Sequence, residues 1–109
     1  MTTAATICNL NDRFRTTFLG GRVNVTAGVA ALDEATREAV ITQVRQFDRF
    51  EPGDDPYGEH DFGAFDHAGE RYLWKIDYYA RGDFNSGSDN PADPAVTTRV
   101  LTIMRADEY

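Results

Sequence analysis

The chain has one cysteine, one lysine and one tryptophan among its 109 residues. A lone cysteine, Cys8, cannot form an internal disulfide, and such usage points to a reducing, cytoplasmic setting. No apolar run approaches the roughly 18 residues that a membrane-crossing helix needs. The opening stretch MTTAATICNLNDRFRTTF has no basic start followed by an apolar segment, so it does not read as a secretory leader. The nucleophile elbow G-x-S-x-G, the Walker and dinucleotide glycine loops, the calcium loop and the HExxH helix are all absent. One lysine and scattered arginines argue against direct contact with nucleic acid.

What is present fits one domain over residues 1–109, with 41% hydrophobic and 27% charged residues. A chain of this size buries roughly 60–65% of its unfolded surface, enough for one modest core. The formal charge of −7 is unevenly placed. Residues 46–70 hold eight acids (Asp48, Glu51, Asp54, Asp55, Glu59, Asp61, Asp66, Glu70) against Arg49 alone, so this segment carries −7 by itself. Such a patch repels phosphate and steers a basic partner or a cation towards it. The plainer reading is a solvated acidic loop that aids solubility.

Ile7, Leu10, Phe14 and Phe18 recur at three-to-four spacing and predict a helix over 4–18, capped by Thr2, Thr3 or Thr6 and stopped by Gly20-Gly21. Alternation over 22–26 predicts a short strand with Val23 and Val25 on one face. Asp33 is the expected helix N-cap, and Leu32, Ala35, Ala39 or Val40, Val44 and Phe47 mark the apolar stripe of a second helix over 33–47. Residues 51–58, with two prolines and two glycines, form a loop. Residues 61–67 and 71–80 pair as a hairpin around His67-Ala-Gly-Glu70, with His67 exposed in the turn. In the second strand Tyr72, Trp74, Ile76 and Tyr78 share one face, and Leu73, Lys75, Asp77 and Tyr79 the other. Residues 82–94 read as loop, and 96–105 favour a last strand over a helix. The class is α+β: an antiparallel sheet of three to four strands with two helices packed on one face, in the order α-β-α-β-β-β. The opposite face is left to water or to a partner.

The stretches GGRVNVTAGVAAL (20–32), FDRFEPGDDPYGEHDFGAF (47–65), ERYLWKIDYY (70–79) and DPAVTTRVLTIMRADEY (93–109) carry a further signal. Together they resemble a family of small alphaproteobacterial proteins of unknown function, often borne on conjugative plasmids beside anti-restriction genes. The resemblance spans about residues 13–109. It implies a mobile-element setting and brings no catalytic residues with it.

The densest constellation is Asp54, Asp55, Glu59, His60 and Asp61. Carboxylates suit Mg2+, Ca2+ or Mn2+, and a carboxylate–histidine mixture suits Zn2+ or Fe2+. If residues 59–61 are extended, Glu59 and Asp61 share a face and His60 points away, so the triplet does not converge. The structural alternative has Asp54 and Asp55 capping turns and His60 anchoring the loop. Cys8, on or beside the first apolar stripe, reads as a packing residue rather than a nucleophile. Lys75, Asp77 and Tyr79, with Tyr57 and Arg81, form a polar, aromatic face suited to catalysis, to a contact surface or simply to solvent.

Two functional expectations follow. In the first, the chain is a non-enzymatic protein-binding protein that acts in counter-defence, as an anti-CRISPR or anti-restriction inhibitor. Its contact residues are Asp54, Asp55, Tyr57, Glu59, Asp61, Lys75, Asp77 and Tyr79, and it needs no cofactor. The partner is a basic protein, such as a CRISPR effector or a restriction-enzyme subunit, whose nucleic-acid groove it occupies. In the second, Glu59, His60 and Asp61 centre a small metal-dependent enzyme or metal-binding domain.

Overall fold

A computed structural model describes residues 2–109. Helix α1 (Thr3–Thr17) is capped by Thr2, whose hydroxyl accepts from the Ala5 amide at 3.0 Å. It ends at Phe18, in the left-handed region at φ 60°. Strand β1 (Gly21–Val25) follows, then a short helix α2 (Ala27–Ala30) and helix α3 (Glu34–Arg45), capped by the Asp33 carboxylate. Strands β2 (Phe62–His67), β3 (Glu70–Ala80), β4 (Asp83–Gly87) and β5 (Thr97–Arg105) complete the sheet. A single 3₁₀ turn, Ala106–Glu108, ends the chain.

The sheet runs β1-β5-β3-β2, with β4 paired to the later half of β3. The hairpin β2–β3 has His67 opposite Glu70, and its two turn residues, Ala68 and Gly69, both have positive φ (52° and 81°). That geometry matches the right-handed twist of the flanking strands. His67 is half-buried rather than exposed, because its Nδ1 shares a hydrogen bond with the Gln43 amide of α3 at 2.8 Å.

The α+β class holds, with five strands and three helices among the described residues. The last strand forms as expected, and three elements differ from expectation: the added helix α2, the pairing of β1 and the added strand β4. Strand β1 pairs with β5 in parallel, Val23 opposite Leu101, so the sheet is mostly rather than wholly antiparallel. The last segment is a strand, and β5 lies between β1 and β3, flanked on both sides. Its near-continuous burial reflects that central place. Strand β4 forms from DFNSG, which lacks β-branched residues. It pairs with the stretch of β3 that β2 leaves free, and Phe84 packs edge-on against Tyr79 with ring centroids 5.5 Å apart.

The core lies between α1, α2 and α3 and one face of the sheet. Phe14, Val29, Val40, Val44 and Phe47 meet Phe65, Tyr72, Trp74, Ile76, Leu101 and Ile103. Trp74 is wholly buried at its centre, edge-on to Phe47 and Phe50. The outer face keeps Lys75, Asp77 and Tyr79 partly exposed. At the end of the chain, the Glu108 carboxylate accepts from the Thr26 hydroxyl at 2.6 Å and the Gly28 amide at 2.9 Å. These bonds tie the terminus to the start of α2 and hold Glu108 below the usual carboxylate range.

Gly63 opposes Trp74 across the β2–β3 ladder. A Cβ there would stand 2.6 Å from Trp74 Cε2 and 2.9 Å from Phe47 Cε1, against rings that are themselves packed. Gly63→Ala is therefore expected to lower stability by about 2 kcal/mol, the ordinary cost of overpacking. A urea titration should show a lower midpoint with an unchanged slope.

Candidate functional site

The inward face of α1 carries polar residues inside its apolar stripe. Asn11 is fully buried and Arg15 nearly so, whereas Leu10 is only half-buried. Asn11 accepts from Arg99 Nε of β5 at 2.8 Å. Its amide donates to the Glu59 carbonyl at 3.0 Å and to the Tyr78 hydroxyl at 2.8 Å. The Tyr78 hydroxyl in turn donates to the Glu59 carboxylate at 2.9 Å. Arg99 also donates to the Pro91 carbonyl and lies over the Tyr78 ring, 5.3 Å from its centre. Burial pushes the Tyr78 phenol well above its ordinary range and the Arg99 guanidinium below its own. Tyr78 therefore stays a neutral donor, and Glu59 faces the guanidinium as a counter-charge within the same network.

One turn further on, Arg15 donates to the Val44 and Arg45 carbonyls at 2.9 and 3.2 Å. Both carbonyls lie in the last turn of α3, and a cation suits that end of the helix. The guanidinium also pairs with Asp12 at 3.3 Å and sits over Trp74 and Phe50. Burial lowers its pKa, and Asp12 opposes that shift.

The acidic loop is fixed at its base by this framework. His60 adopts φ 55°, and its ring stacks on Phe50 at 3.6 Å between centroids, within 2° of parallel. Its amide donates to the Asp55 carboxylate at 3.0 Å, and its Nδ1 lies 2.8 Å from Asp12 Oδ1. The Asp61 carbonyl accepts from the Ile76 amide, which feeds the chain into β2. The structural alternative for His60 and Asp55 is thus what the loop displays.

The residues singled out in the sequence divide into three groups. Asp54 and Tyr57 project outwards, Tyr57 being 79% exposed. Asp55, Glu59 and Asp61 turn towards the body of the protein. The Asp55 side chain is 6% exposed, and burial, followed by the nearby Glu59 charge, raises the Asp61 carboxyl. Lys75 and Asp77 pair with each other at 3.0 Å on the open sheet face, where Tyr79 rests against Phe84.

Glu59, His60 and Asp61 do not converge on one point: the Glu59 carboxylate accepts from Tyr78, and the His60 imidazole turns to Asp12. Among the described residues, the potential metal ligands that do converge are Cys8, Asp12 and His60, with ligand atoms within 4.8 Å of one another. Cys8 is half-buried, its thiol donates to Asp12 at 3.7 Å, and burial together with the Asp12 charge pushes it up to about 11. It is no resting nucleophile.

Five of these residues carried a sequence signal that composition hides. Cys8 and Asp12, like Asn11 and Arg15, are four apart, so each pair shares a helix face. Arg99 occupies the same phase as Leu101 and Ile103 and therefore points inwards with them.

Around the loop tip, Glu51, Asp54 and Asp66 line a shallow cleft of about 290 Å³ together with Arg49 and Arg71, and Asp66 pairs with Arg71 at 3.2 Å. Asp48 is exposed on the same segment, and Glu70 pairs with Arg105 at 3.1 Å.

Asn11→Ala would leave the buried Arg99 Nε without its acceptor and Tyr78 without a donor. A loss of about 3 kcal/mol is expected, near the cost of breaking a buried charged interaction. Thermal unfolding followed by circular dichroism reads it directly, and Leu10→Ala on the same helix, half-buried, should cost less.

No curated protein and no solved structure matches the chain. Residues 25–108, from the end of β1 to the terminal 3₁₀ turn, match the family described as "Protein of unknown function (DUF3768)". That segment covers most of the chain and contains every partner that α1 touches in the polar network. On this match, the chain belongs to the DUF3768 family.

Proposed function

We propose that the chain works by protein–protein contact, presenting its acidic loop to a basic surface that otherwise holds nucleic acid. The observation that carries this reading is the loop itself. Its base is pinned by Asn11, Tyr78, Asp12 and Phe50, while Glu51, Asp54 and Tyr57 face solvent. A loop already held in place gives up little conformational freedom on binding. Exposed carboxylates supply the charge complement, and a tyrosine among them supplies an apolar anchor of the kind that dominates contact surfaces.

The residues expected to meet the partner narrow accordingly. Asp54 and Tyr57 lead, with Asp48 and Glu51 beside them, while Asp66 and Glu70 are paired with Arg71 and Arg105. Asp55, Glu59 and Asp61 support the loop from within. Lys75, Asp77 and Tyr79 form a secondary polar face on the open side of the sheet.

The resemblance to plasmid-borne alphaproteobacterial proteins supplies the setting for this proposal. The partner would be a host defence protein in the bacterial cytoplasm, a CRISPR effector or a restriction-enzyme subunit, and the outcome would be its inhibition. Catalysis draws less support from the geometry, since Glu59, Tyr78, Arg99 and Asn11 are engaged with one another beneath the loop.

The test is capture of partners from host lysate at low and high salt, followed by reconstitution with the purified partner. Capture of a nucleic-acid-binding defence protein, lost at high salt, is expected, and the chain should compete with its DNA or RNA. Glu51→Lys with Asp54→Lys, and Tyr57→Ala alone, should each weaken the complex at least about tenfold while leaving the melting temperature unchanged. Equal binding by these variants, or a partner whose nucleic-acid binding is undisturbed, overturns the reading.

A further inference from the structure

The proposed contact surface leaves one convergent group of side chains unexplained. Cys8 and Asp12 stand one helical turn apart on α1, so their side chains meet on one face. The left-handed turn at His60 carries its imidazole to the same point from the loop. His60 Nδ1 lies 2.8 and 3.1 Å from the two Asp12 oxygens, and the Cys8 thiol donates to Asp12 Oδ2 at 3.7 Å. All three ligand atoms fall within 4.8 Å of one another. A tetrahedral zinc with bonds of about 2.0–2.3 Å holds neighbouring ligand atoms roughly 3.3–3.8 Å apart. The cluster is of that scale, with separations of 2.8 to 3.7 Å from Asp12 and all three atoms inside 4.8 Å.

We propose that Cys8, Asp12 and His60 form a three-ligand site for a divalent transition metal, Zn2+ by its mixture of donors, with water as the fourth ligand. A thiolate beside an imidazole selects zinc over the oxygen-seeking Mg2+ and Ca2+. The surroundings favour the same assignment. Asp55 is 6% exposed and lies 3.7 Å from His60 Nε2, on the far side of the ring from Asp12. It also accepts the His60 amide. At 3.7 Å it is not hydrogen-bonded to the ring, but it is the carboxylate on the side from which a metal-bound imidazole would be oriented. Arg15 holds Asp12 Oδ1 at 3.3 Å, which leaves Oδ2, the oxygen nearer Cys8, for the metal.

The protons balance simply. On binding, the thiol proton leaves to solvent, and the His60 proton passes from Nδ1 to Nε2, where it faces Asp55. The metal then joins α1 to the base of the acidic loop. The site shares only His60 with the 59–61 triplet, and it stands or falls independently of what the loop tip binds.

The experiment uses the full, untagged chain, stripped with a chelator and titrated with Co2+, then with Zn2+. The expected result is tetrahedral cobalt absorption with a thiolate-to-cobalt charge-transfer band, saturating near one ion per chain and displaced by Zn2+. Cys8 is the sole cysteine, so the band identifies its ligand without any variant. Cys8→Ser should abolish the band and weaken binding at least about tenfold. Asp55→Asn should keep the band and weaken affinity about 10–100-fold, the usual effect of removing an orienting carboxylate. Absence of the band in the unaltered chain overturns the site. So does unchanged affinity in Cys8→Ser, which would place the cation on the exposed acids.

Discussion

A carboxamide with no access to water must find a partner for its polar atoms, and Asn11 does so across elements far apart in the sequence. It accepts from Arg99 on β5, donates to Tyr78 on β3 and donates to the backbone at Glu59 in the loop. Unpaired, each of those groups would carry a desolvation cost of about 1–3 kcal/mol, more for the guanidinium. Together they fix the rotation of α1 on the sheet. A turn of the helix that buried Leu10 instead would strand Arg99 and Tyr78 at once. Hydrophobic burial presses α1 onto the core through Ile7 and Phe14, but it is the polar seam that sets which face goes down.

The same rotation decides the character of the loop. With Asn11 inwards, Asp12 lies at the edge of the helix, where it meets His60, Arg15 and Cys8. His60 stacks on Phe50, and Phe50 packs edge-on against Phe47 and Trp74. An unbroken series of ring contacts therefore links the loop to the centre of the core. The acidic segment combines two properties that usually conflict. Its like charges repel, yet its backbone is held, because Arg99 and Arg15 lie beneath it and the repelling carboxylates at the tip point outwards. On the proposed reading, net charge and fixed shape on one surface suit a partner with a rigid basic groove.

Periodicity made most of the fold legible. The two long helices, the hairpin with its inward Tyr72, Trp74 and Ile76, and the last strand follow from apolar spacing, which is set by local geometry and needs no knowledge of neighbours. Strand β4 was hidden because its five exposed residues have no packing preference to display, and only the free flank of β3 makes them a strand. The parallel pairing of β1 was hidden because partner choice is tertiary. The site was legible as charge but not as geometry. Composition located the acidic segment, yet the sorting of Asp54 from Asp55 and Glu59 depends on one positive φ at His60 and on a tyrosine hydroxyl nineteen positions from its acceptor. Asn11 and Arg15 looked like breaks in an apolar stripe, when they are the residues that orient it.

Helix α1 precedes the segment that carries the family match, yet the matched segment leaves its needs unmet without it. Arg99 Nε donates to Asn11, Arg15 donates to the last carbonyls of α3, and His60 pairs with Asp12. Phe14, 1% exposed, covers the core where β1 begins, and a Cβ at Gly21 would meet its ring at 2.7 Å. A helix that lies over the sheet this closely is a structural part of the domain. It also contributes two of the three converging ligand atoms, while the loop contributes one. Any group seated there, proton or metal, therefore bridges the helix and the acidic loop. Whatever the tip engages, its position is referred through His60 and Glu59 to a helix whose orientation Asn11 has already fixed.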